Sequence, residues 1–320
     1  MKPTELITLL KHHTVYIQTH NFPDPDAISS AFALQEFLQY YGISSTLCYD
    51  GRIDRLSSRK MLDSFGIAMQ SGTDISEMVP EDYIVLVDSQ KLNSNVTDFI
   101  GTEVACIDHH PVYKNYTYVY SDLQLTGACA SIIASYFRST NTPISPAAAS
   151  ALAYGIKMDT ADFTRGTTKL DTDMFNYLFD HADWSLVKSM YTNTLEYDDL
   201  RAYGAAIQNI KIFGTTAFAY IPFNCTPALI AIISDFILTL DVVEIAVTYA
   251  DNTDGIRFSV RNERTDIHAG HLITRALSGV GSGGGHQAMA GGMITKEHIP
   301  SLGTNPQVSI HDRFLRAEWV

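Results

Sequence analysis

Apolar positions in the first half of the chain fall into two alternating patterns. Short runs rich in Val, Ile and Leu at 15–19, 45–49, 83–87 and 104–107 read as strands buried on both faces. Between and after them, Ile28, Ala31, Leu34 and Leu38 recur at helical spacing within 27–41, and 127–138, 146–158 and 171–181 also read as helices. Such alternation predicts a parallel sheet in an α/β domain. Residues 184–208 are helical and charged (Glu196, Asp198, Asp199, Arg201) with no strand signal, which marks a connector. Beyond it, 207–213 and 216–221 flank Gly214-Thr215 as a hairpin. Thr226-Pro227 then supplies a capping hydroxyl and a first-turn proline for a helix over 228–239. A second hairpin joins strands 242–249 and 256–261 through Asn252-Thr253-Asp254-Gly255. A helix at 267–277, a glycine-rich loop and a short strand at Met293-Ile294 complete a second α/β unit. The expected division is a parallel-sheet domain over 1–185, a helical connector over 186–206 and a smaller mixed-sheet α/β domain over 207–320. At the C-terminus, 310–319 reads as a helix ending in an exposed Trp319, suited to packing or to an oligomer contact such as a homodimer.

Composition narrows the class. Two domains agree with a length of 320 residues, and 46% apolar with 18% charged residues describes a globular protein. Disorder, collagen-like repeats and a membrane-embedded chain are excluded. The longest apolar stretch, 228–240, is broken by Ser234 and Asp235 and falls short of the ~20 residues that span a bilayer. The four cysteines are scattered with no CxxC pair, which favours a reducing, cytoplasmic compartment. The net charge is −13, and residues 1–205 carry most of the acidic excess. A chain that grips long nucleic acid through its phosphates carries a basic surplus, which is missing here. Metal cations and small ligands remain.

Three polar sites share one topological position. His20 follows the strand at 15–19, Asp88 ends the strand at 83–87, and Asp108-His109-His110 ends the strand at 104–107. Ligands of open parallel sheets bind beyond the carboxyl ends of the strands, so these residues are expected to converge. A lone Asp after a strand is commonly a turn or cap, but three such sites in one domain are not explained that way. In His20-Asn21-Phe22-Pro23-Asp24-Pro25-Asp26, residues two apart in an extended segment point the same way, and Pro25 stiffens the link between the two carboxylates. Each aspartate then serves one of two neighbouring ions. Asp26 also suits a cap on the following helix. Asp159 lies at the C-terminal end of an apolar helix, against the helix dipole, a placement that a cation compensates. Carboxylates with imidazoles and no thiolate suit Mn²⁺, Mg²⁺ or Fe²⁺. A pair of such ions activates water, orients a phosphate and stabilises its leaving oxygen. The implied reaction is hydrolysis of a phosphoester or phosphoanhydride. In the second half, Gly283-Gly284-Gly285-His286 lets backbone N–H groups approach an anion, without the Gly-Lys-Ser/Thr of a Walker loop. Nearby, Ser259 and His268 offer polar contacts, and Arg261 offers a bidentate phosphate grip.

These segments resemble the DHH phosphoesterase family in its two-domain DHH plus DHHA1 branch. The resemblance rests on His20 to Asp26 with Ala27-Ile28-Ser29-Ser30, Asp88, Asp108-His109-His110, Gly155 to Thr160 with Asp162-Phe163, Ser259-Val260-Arg261, and Gly283 to His286 through Ala290-Gly291. It implies that His20 and Asp24 hold one metal, that Asp26, His109 and Asp159 hold the other, and that Asp88 bridges them. It gives Asp108 a supporting role beside the histidines, and it places His110 against the phosphate, stabilising charge or protonating the leaving oxygen. Arg261 and the glycine-rich loop then hold the far end of the substrate from the second domain. Gln90 and Met289 depart from the family pattern. By this resemblance the protein carries two divalent ions, Mn²⁺ foremost, with Mg²⁺ or Fe²⁺ as substitutes.

Within the family, the expected branch is the compact one of nano-RNases, 3′-phosphoadenosine 5′-phosphate (pAp) phosphatases and hydrolases of linear dinucleotides such as pApA. The chain shows neither a transmembrane or sensory extension nor a nucleic-acid-binding one, and its acidic balance fits very short substrates. The glycine-rich segment argues against a family II pyrophosphatase. The alternatives are a cyclic-di-AMP phosphodiesterase and a catalytically weak nucleotide-binding module. The latter is expected to lack a ligand residue, and none is missing.

Overall fold

The computed structural model describes residues 2–53, 56–112 and 114–318. By contacts the chain divides into two compact units, Met1–Thr194 and Leu195–Val320. The first runs α1 (Pro3–Leu10), β1 (Val15–Gln18), α2 (Pro25–Tyr40), β2 (Ser45–Tyr49), α3 (Leu56–Phe65), β3 (Met69–Ser71), β4 (Tyr83–Val87), β5 (Thr102–Asp108), β6 (Tyr120–Leu123), α4 (Cys129–Thr140), α5 (Pro146–Asp159), α6 (Lys169–Phe179) and α7 (Trp184–Met190). Its sheet has the order β3-β2-β1-β4-β5-β6, and every pairing is parallel. The order reverses direction between β1 and β4, the switch point at which such sheets open a crevice beyond their carboxyl ends.

The central strands have no solvent face. Val15 to Gln18 of β1 and Ile84 to Val87 of β4 are buried throughout, which is why they appear as unbroken apolar runs. Helix α2 is buried around most of its circumference, including Ala27, Ile28, Ser29, Ser30, Ala31, Leu34, Phe37 and Leu38, and it packs on both α4 and α5. Its contact with α5 is close because Gly155 has no side chain: a Cβ there would lie 2.2 Å from Ser29 Oγ. That approach brings the C-terminal end of α5, with Asp159, beside the N-terminal end of α2, with Asp26.

The second unit comprises α8 (Asp199–Gln208), β7 (Lys211–Phe213), β8 (Thr216–Ile221), α9 (Pro227–Leu238), β9 (Ile245–Asn252), β10 (Gly255–Asn262), α10 (Ala269–Ala276), β11 (Ser282–Gly285), β12 (Met289–Thr295) and α11 (Pro306–Ala317). Its sheet, β11-β12-β10-β9-β8-β7, is mixed: β8 and β9 run parallel and the other pairs antiparallel. Thr226 Oγ1 caps α9 with Pro227 in the first turn, as expected.

Several elements differ from the pattern reading. Edge strands β3 and β6 and the short helices α1 and α3 were not anticipated. The connector is not one helix: α7 packs on α5 in the first unit and α8 on β8 in the second, and Asn193 between them adopts a left-handed conformation at φ 53°. The first arm of the hairpin begins only at Lys211, because 207–208 complete α8. The glycine-rich segment is not a loop. Gly283, Gly284 and Gly285 form the edge strand β11, pairing with Gly292, Gly291 and Ala290. Helix α10 lies against this strand so closely that a Cβ on Gly270 would sit 2.4 Å from the Gly285 carbonyl oxygen. The terminal helix ends at Ala317, and Trp319 lies outside the described residues.

Candidate metal centre

The carboxyl ends of β1, β4 and β5 carry the cluster. Three sets of donor atoms lie within 4.8 Å of one another in each set: His20, Asp24 and Asp88; Asp26, His109 and Asp159; and Asp88, Asp108, His109 and His110. The two carboxylate oxygens of Asp88 face different histidines, Oδ2 at 3.5 Å from His20 Nε2 and Oδ1 at 3.3 Å from His109 Nε2. Asp88 itself leaves the strand in a left-handed conformation, φ 57°, an uncommon backbone state for a non-glycine residue and one that gathers at functional sites.

Each side chain is held by a local device. Asp24 caps α2: its Oδ1 accepts from the N–H groups of Asp26 (3.0 Å) and Ala27 (3.1 Å). The Asp24–Asp26 link is therefore a helix start and not an extended segment, and Asp26 does not cap its own helix. Instead Asp26 accepts from Cys129 N–H (2.7 Å) and Ala130 N–H (2.9 Å) at the first turn of α4, where free amide donors favour an anion. The Nδ1 of His20 faces the Asn21 carbonyl at 2.8 Å and that of His109 faces the Thr126 carbonyl at 3.0 Å. A carbonyl only accepts, so both Nδ1 atoms carry protons and both Nε2 atoms face the cluster, the orientation of metal-ligating histidines.

Asp108 is fully buried and stays off the cluster's inner face. Its Oδ1 accepts from His109 N–H (2.8 Å) and contacts His110 Nδ1 (2.9 Å), while its Oδ2 accepts from Gln90 Nε2 (2.7 Å). Gln90, a departure from the family pattern, thus fixes the carboxylate that orients His110. His110 is the most open of the three histidines in the cluster, its side chain 41% exposed.

The electrostatics show crowding of negative charge. Burial, then the neighbouring charges of Asp88 and Asp159, push the Asp26 carboxyl well above the usual carboxylate range. Burial and the charge of Asp24 raise Asp159 to about 6. Burial opposes the imidazolium of His109, but the adjacent Asp88 carboxylate outweighs it and lifts the group to about 11. The same balance raises His20. Asp88 Oδ1 is buried and accepts no hydrogen bond. A carboxylate with one oxygen toward each of two imidazoles, one of those oxygens orphaned, and with further acids nearby, fits a pair of hard divalent cations.

Two contributors escaped the sequence reading. Arg165 donates to the Asp159 main-chain carbonyl (2.7 Å) and stands 3.8 Å from its carboxylate. It is returned there by left-handed residues at Ala161, Asp162 and Phe163. Asp171, fully buried, accepts from Gly127 N–H (2.9 Å), Thr168 N–H (2.7 Å) and the hydroxyls of Thr126 (3.0 Å), Thr168 (2.8 Å) and Ser131 (2.6 Å). It pins the Thr126-Gly127 turn, which supplies the carbonyl behind His109 and leads into the α4 amides that hold Asp26.

In the second unit, Arg261 is already engaged. Its Nε donates to Asp235 Oδ1, and its Nη1 donates to Ser259 Oγ (3.0 Å) and to the Val260 carbonyl (3.2 Å). His286 is exposed, and its N–H closes the β11–β12 turn on the Met289 carbonyl at 2.7 Å. His268 caps α10 and stacks on His271 with ring centroids 4.1 Å apart.

The DHH family N-terminal domain matches residues 14–156 and the DHHA1 domain matches 214–303. An uncharacterised protein of Methanocaldococcus jannaschii is 28% identical over 286 residues, covering 89% of this chain, and the chain spans only 58% of that protein's length. A Streptococcus mutans protein named probable bifunctional oligoribonuclease and PAP phosphatase is 26% identical over 90% of this chain and 92% of its own. The crystal structure of an exopolyphosphatase-related protein from Bacteroides fragilis superposes with a TM-score of 0.78 at 17% identity, covering 99% of this chain and 95% of that one. With both domain types in sequence order, the chain belongs to the DHH family of phosphoesterases, in the branch that joins a DHH domain to a DHHA1 domain.

Proposed function

We propose that the protein hydrolyses phosphoester bonds in very short nucleotide substrates: short oligoribonucleotides, linear dinucleotides of the pApA kind, pAp, or several of these. The observation that carries the reading is Asp88, a carboxylate shared between two ligand groups with one buried oxygen accepting no hydrogen bond. In this assignment the first unit is the metal-binding catalytic domain. His20, Asp24 and Asp88 hold one ion, and Asp26, His109, Asp159 and Asp88 hold the other. Bound there, two divalent ions, Mn²⁺ foremost, supply Lewis acidity and a water of lowered pKa.

The chain's own residues do the rest. Asp108 fixes His110 through Nδ1 and leaves Nε2 to hold a proton for the departing oxygen. Burial opposes the charge of His110, but the Asp108 hydrogen bond and Asp88 outweigh it and raise its pKa, the direction that favours a proton donor. In the second unit, Arg261, which Asp235 holds in position, and Gly283, Gly284, Gly285 and His286 at the edge of the sheet are the residues assigned to substrate binding. The Streptococcus mutans relative, which aligns over nearly its whole length, supports these substrates. Four free, buried cysteines fit a cytoplasmic setting.

The test is incubation of the purified, Mn²⁺-loaded protein with pAp, pApA, oligoribonucleotides of two to five residues, cyclic-di-AMP and pyrophosphate. Release of phosphate or mononucleotide from the first three is expected. Preference for cyclic-di-AMP or pyrophosphate overturns the substrate class, and binding without turnover of any of them overturns the enzyme.

A further inference from the structure

Phe22 stands two residues after His20 and two before Asp24, yet it is 59% exposed. Its backbone is left-handed, φ 59°, a conformation that is an outlier for a bulky residue and that persists only where surrounding structure imposes it. Here the imposing contacts are explicit. Phe22 N–H donates to the Asp50 carbonyl (3.1 Å), and Asn21 N–H donates to the Asn95 carbonyl (2.7 Å). The Asn21 amide donates to Thr97 Oγ1 (3.0 Å) and accepts from Thr97 N–H (3.2 Å), and the Thr97 hydroxyl donates to Asp50 Oδ2 (2.5 Å). The ring rests on Gly51, where a Cβ would lie 2.9–3.1 Å from three ring carbons. One side of the ring is therefore seated on bare backbone and much of the rest meets solvent.

Core packing does not account for this arrangement, because a strained backbone holds a large apolar group out of the core. Two residues of chain reach at most about 7 Å, so the backbone that carries the ring lies within that distance of the backbone that carries His20 and Asp24. A rigid, exposed aromatic face beside a phosphate-handling centre suits a planar heterocycle, since every nucleobase presents a π-face. We propose that Phe22 is the platform on which a nucleobase of the substrate stacks while its attached phosphate reaches the cluster. The proposal rests on the phosphoester-hydrolase reading above and names the feature that separates nucleotides from inorganic phosphates.

The experiment compares kcat/KM for pApA with that for dinucleotides of the same backbone carrying an abasic site at either position. It uses the full-length wild type and Phe22→Ala, Phe22→Leu and Phe22→Trp. The ratio of intact to abasic substrate is expected to fall about tenfold in Phe22→Ala and Phe22→Leu, chiefly through KM, and to be restored in Phe22→Trp. In parallel, adenosine 5′-monophosphate is expected to quench the fluorescence that Phe22→Trp adds over wild type, whereas inorganic phosphate does not. An unchanged ratio in Phe22→Ala, restoration by leucine, or absence of quenching overturns the proposal. If wild type cleaves neither dinucleotide, and neither pAp nor oligoribonucleotides of two to five residues, the hydrolase reading fails by itself, and the fluorescence titration still decides whether a base stacks on this position.

Discussion

Asp26 and Asp88 in the first unit are buried with like-charged neighbours, whereas Asp235, Asp254 and Asp266 in the second lie at the surface, each beside an arginine. An exposed pair is screened by water and contributes little. Buried carboxylates within a few ångströms of each other are costly unless a cation joins them. The first unit therefore carries electrostatic strain that a bound cation relieves, whereas among its described residues the second shows no comparable cluster of buried carboxylates. Ions are expected to change the stability and activity of one unit strongly and to leave the other nearly indifferent.

The largest effect is expected at Asp88. Asp88→Asn keeps the shape but removes the charge shared by the two ligand groups, so hydrolysis should fall on the order of 10³-fold or more, and bound metal, read by elemental analysis, should drop below the wild-type content. With wild type, Mn²⁺ at a hundredfold excess over its dissociation constant should stabilise folding by about 2.7 kcal/mol relative to a chelated sample in thermal scans. Equal midpoints with and without the ion would remove the contrast between the units.

Asp171→Ala comes next. It strips the acceptor from two backbone N–H groups and three hydroxyls. Burial works against this carboxylate, but those hydrogen bonds outweigh it and hold its pKa below the usual range. A loss of about 3–5 kcal/mol in denaturant unfolding is expected. Because the turn it pins backs His109, weaker Mn²⁺ binding should accompany the loss. Asp171→Asn, retaining one acceptor, should fall between the two proteins.

These two residues also mark where the sequence was readable. Strands β1, β2, β4 and β5 are interior and mostly buried, so they appear as apolar runs. Strands β3 and β6 are edges, and Met69-Gln70-Ser71 and Tyr120-Ser121-Asp122-Leu123 carry no such run. Glycines have low strand propensity, so the 283–285 run read as a loop. The packing shows why two of the three lack a Cβ: one on Gly283 would lie 2.9 Å from the Ile273 side chain of α10, and one on Gly285 would lie 2.4 Å from the Met289 carbonyl of β12. The candidates His20, Asp88 and His109 were legible because they sit at strand ends, where topology predicts convergence, whereas Asp24, Asp26 and Asp159 were named from local spacing, the helix dipole and the family resemblance. Asp171 was not, because locally it forms only a capping box with Thr168, and its contacts with Gly127 and Ser131 span forty or more positions. Gln90 stood out only as an irregularity until Asp108 gave it a partner.

In the second unit a deeply placed imidazole behaves oppositely to those of the first. His311 is 5% exposed, its Nε2 lies 3.0 Å from Tyr249 OH, and it packs on Phe218. Burial lowers its pKa to about 4, Lys211 adds to the lowering, and Asp312 opposes it. The unfolded chain takes a proton near pH 6.5 that the folded unit refuses until about 4. This contribution is therefore complete above about 6.5 and is lost as the pH falls towards 4, by on the order of 1–3 kcal/mol. A stability–pH profile of the chelated protein should show that slope, and His311→Gln should flatten it.

The smallest effect is expected at Arg264, which donates to Asp266 through Nε (3.1 Å) and Nη2 (2.6 Å). The geometry is bidentate, but the Asp266 side chain is 65% exposed, so water competes for every donor and salt screens what remains. Hydrogen bonds from Arg264 hold the Asp266 carboxyl below its ordinary range, which records attraction between the groups without making it a support of the fold. Arg264→Ala is expected to leave the thermal midpoint within about 1 °C of wild type at physiological ionic strength, and Mn²⁺ should shift both proteins equally. A larger loss would mean that surface ion pairs in the second unit are coupled to its core, and that the two units differ less in their use of charge than their burial implies.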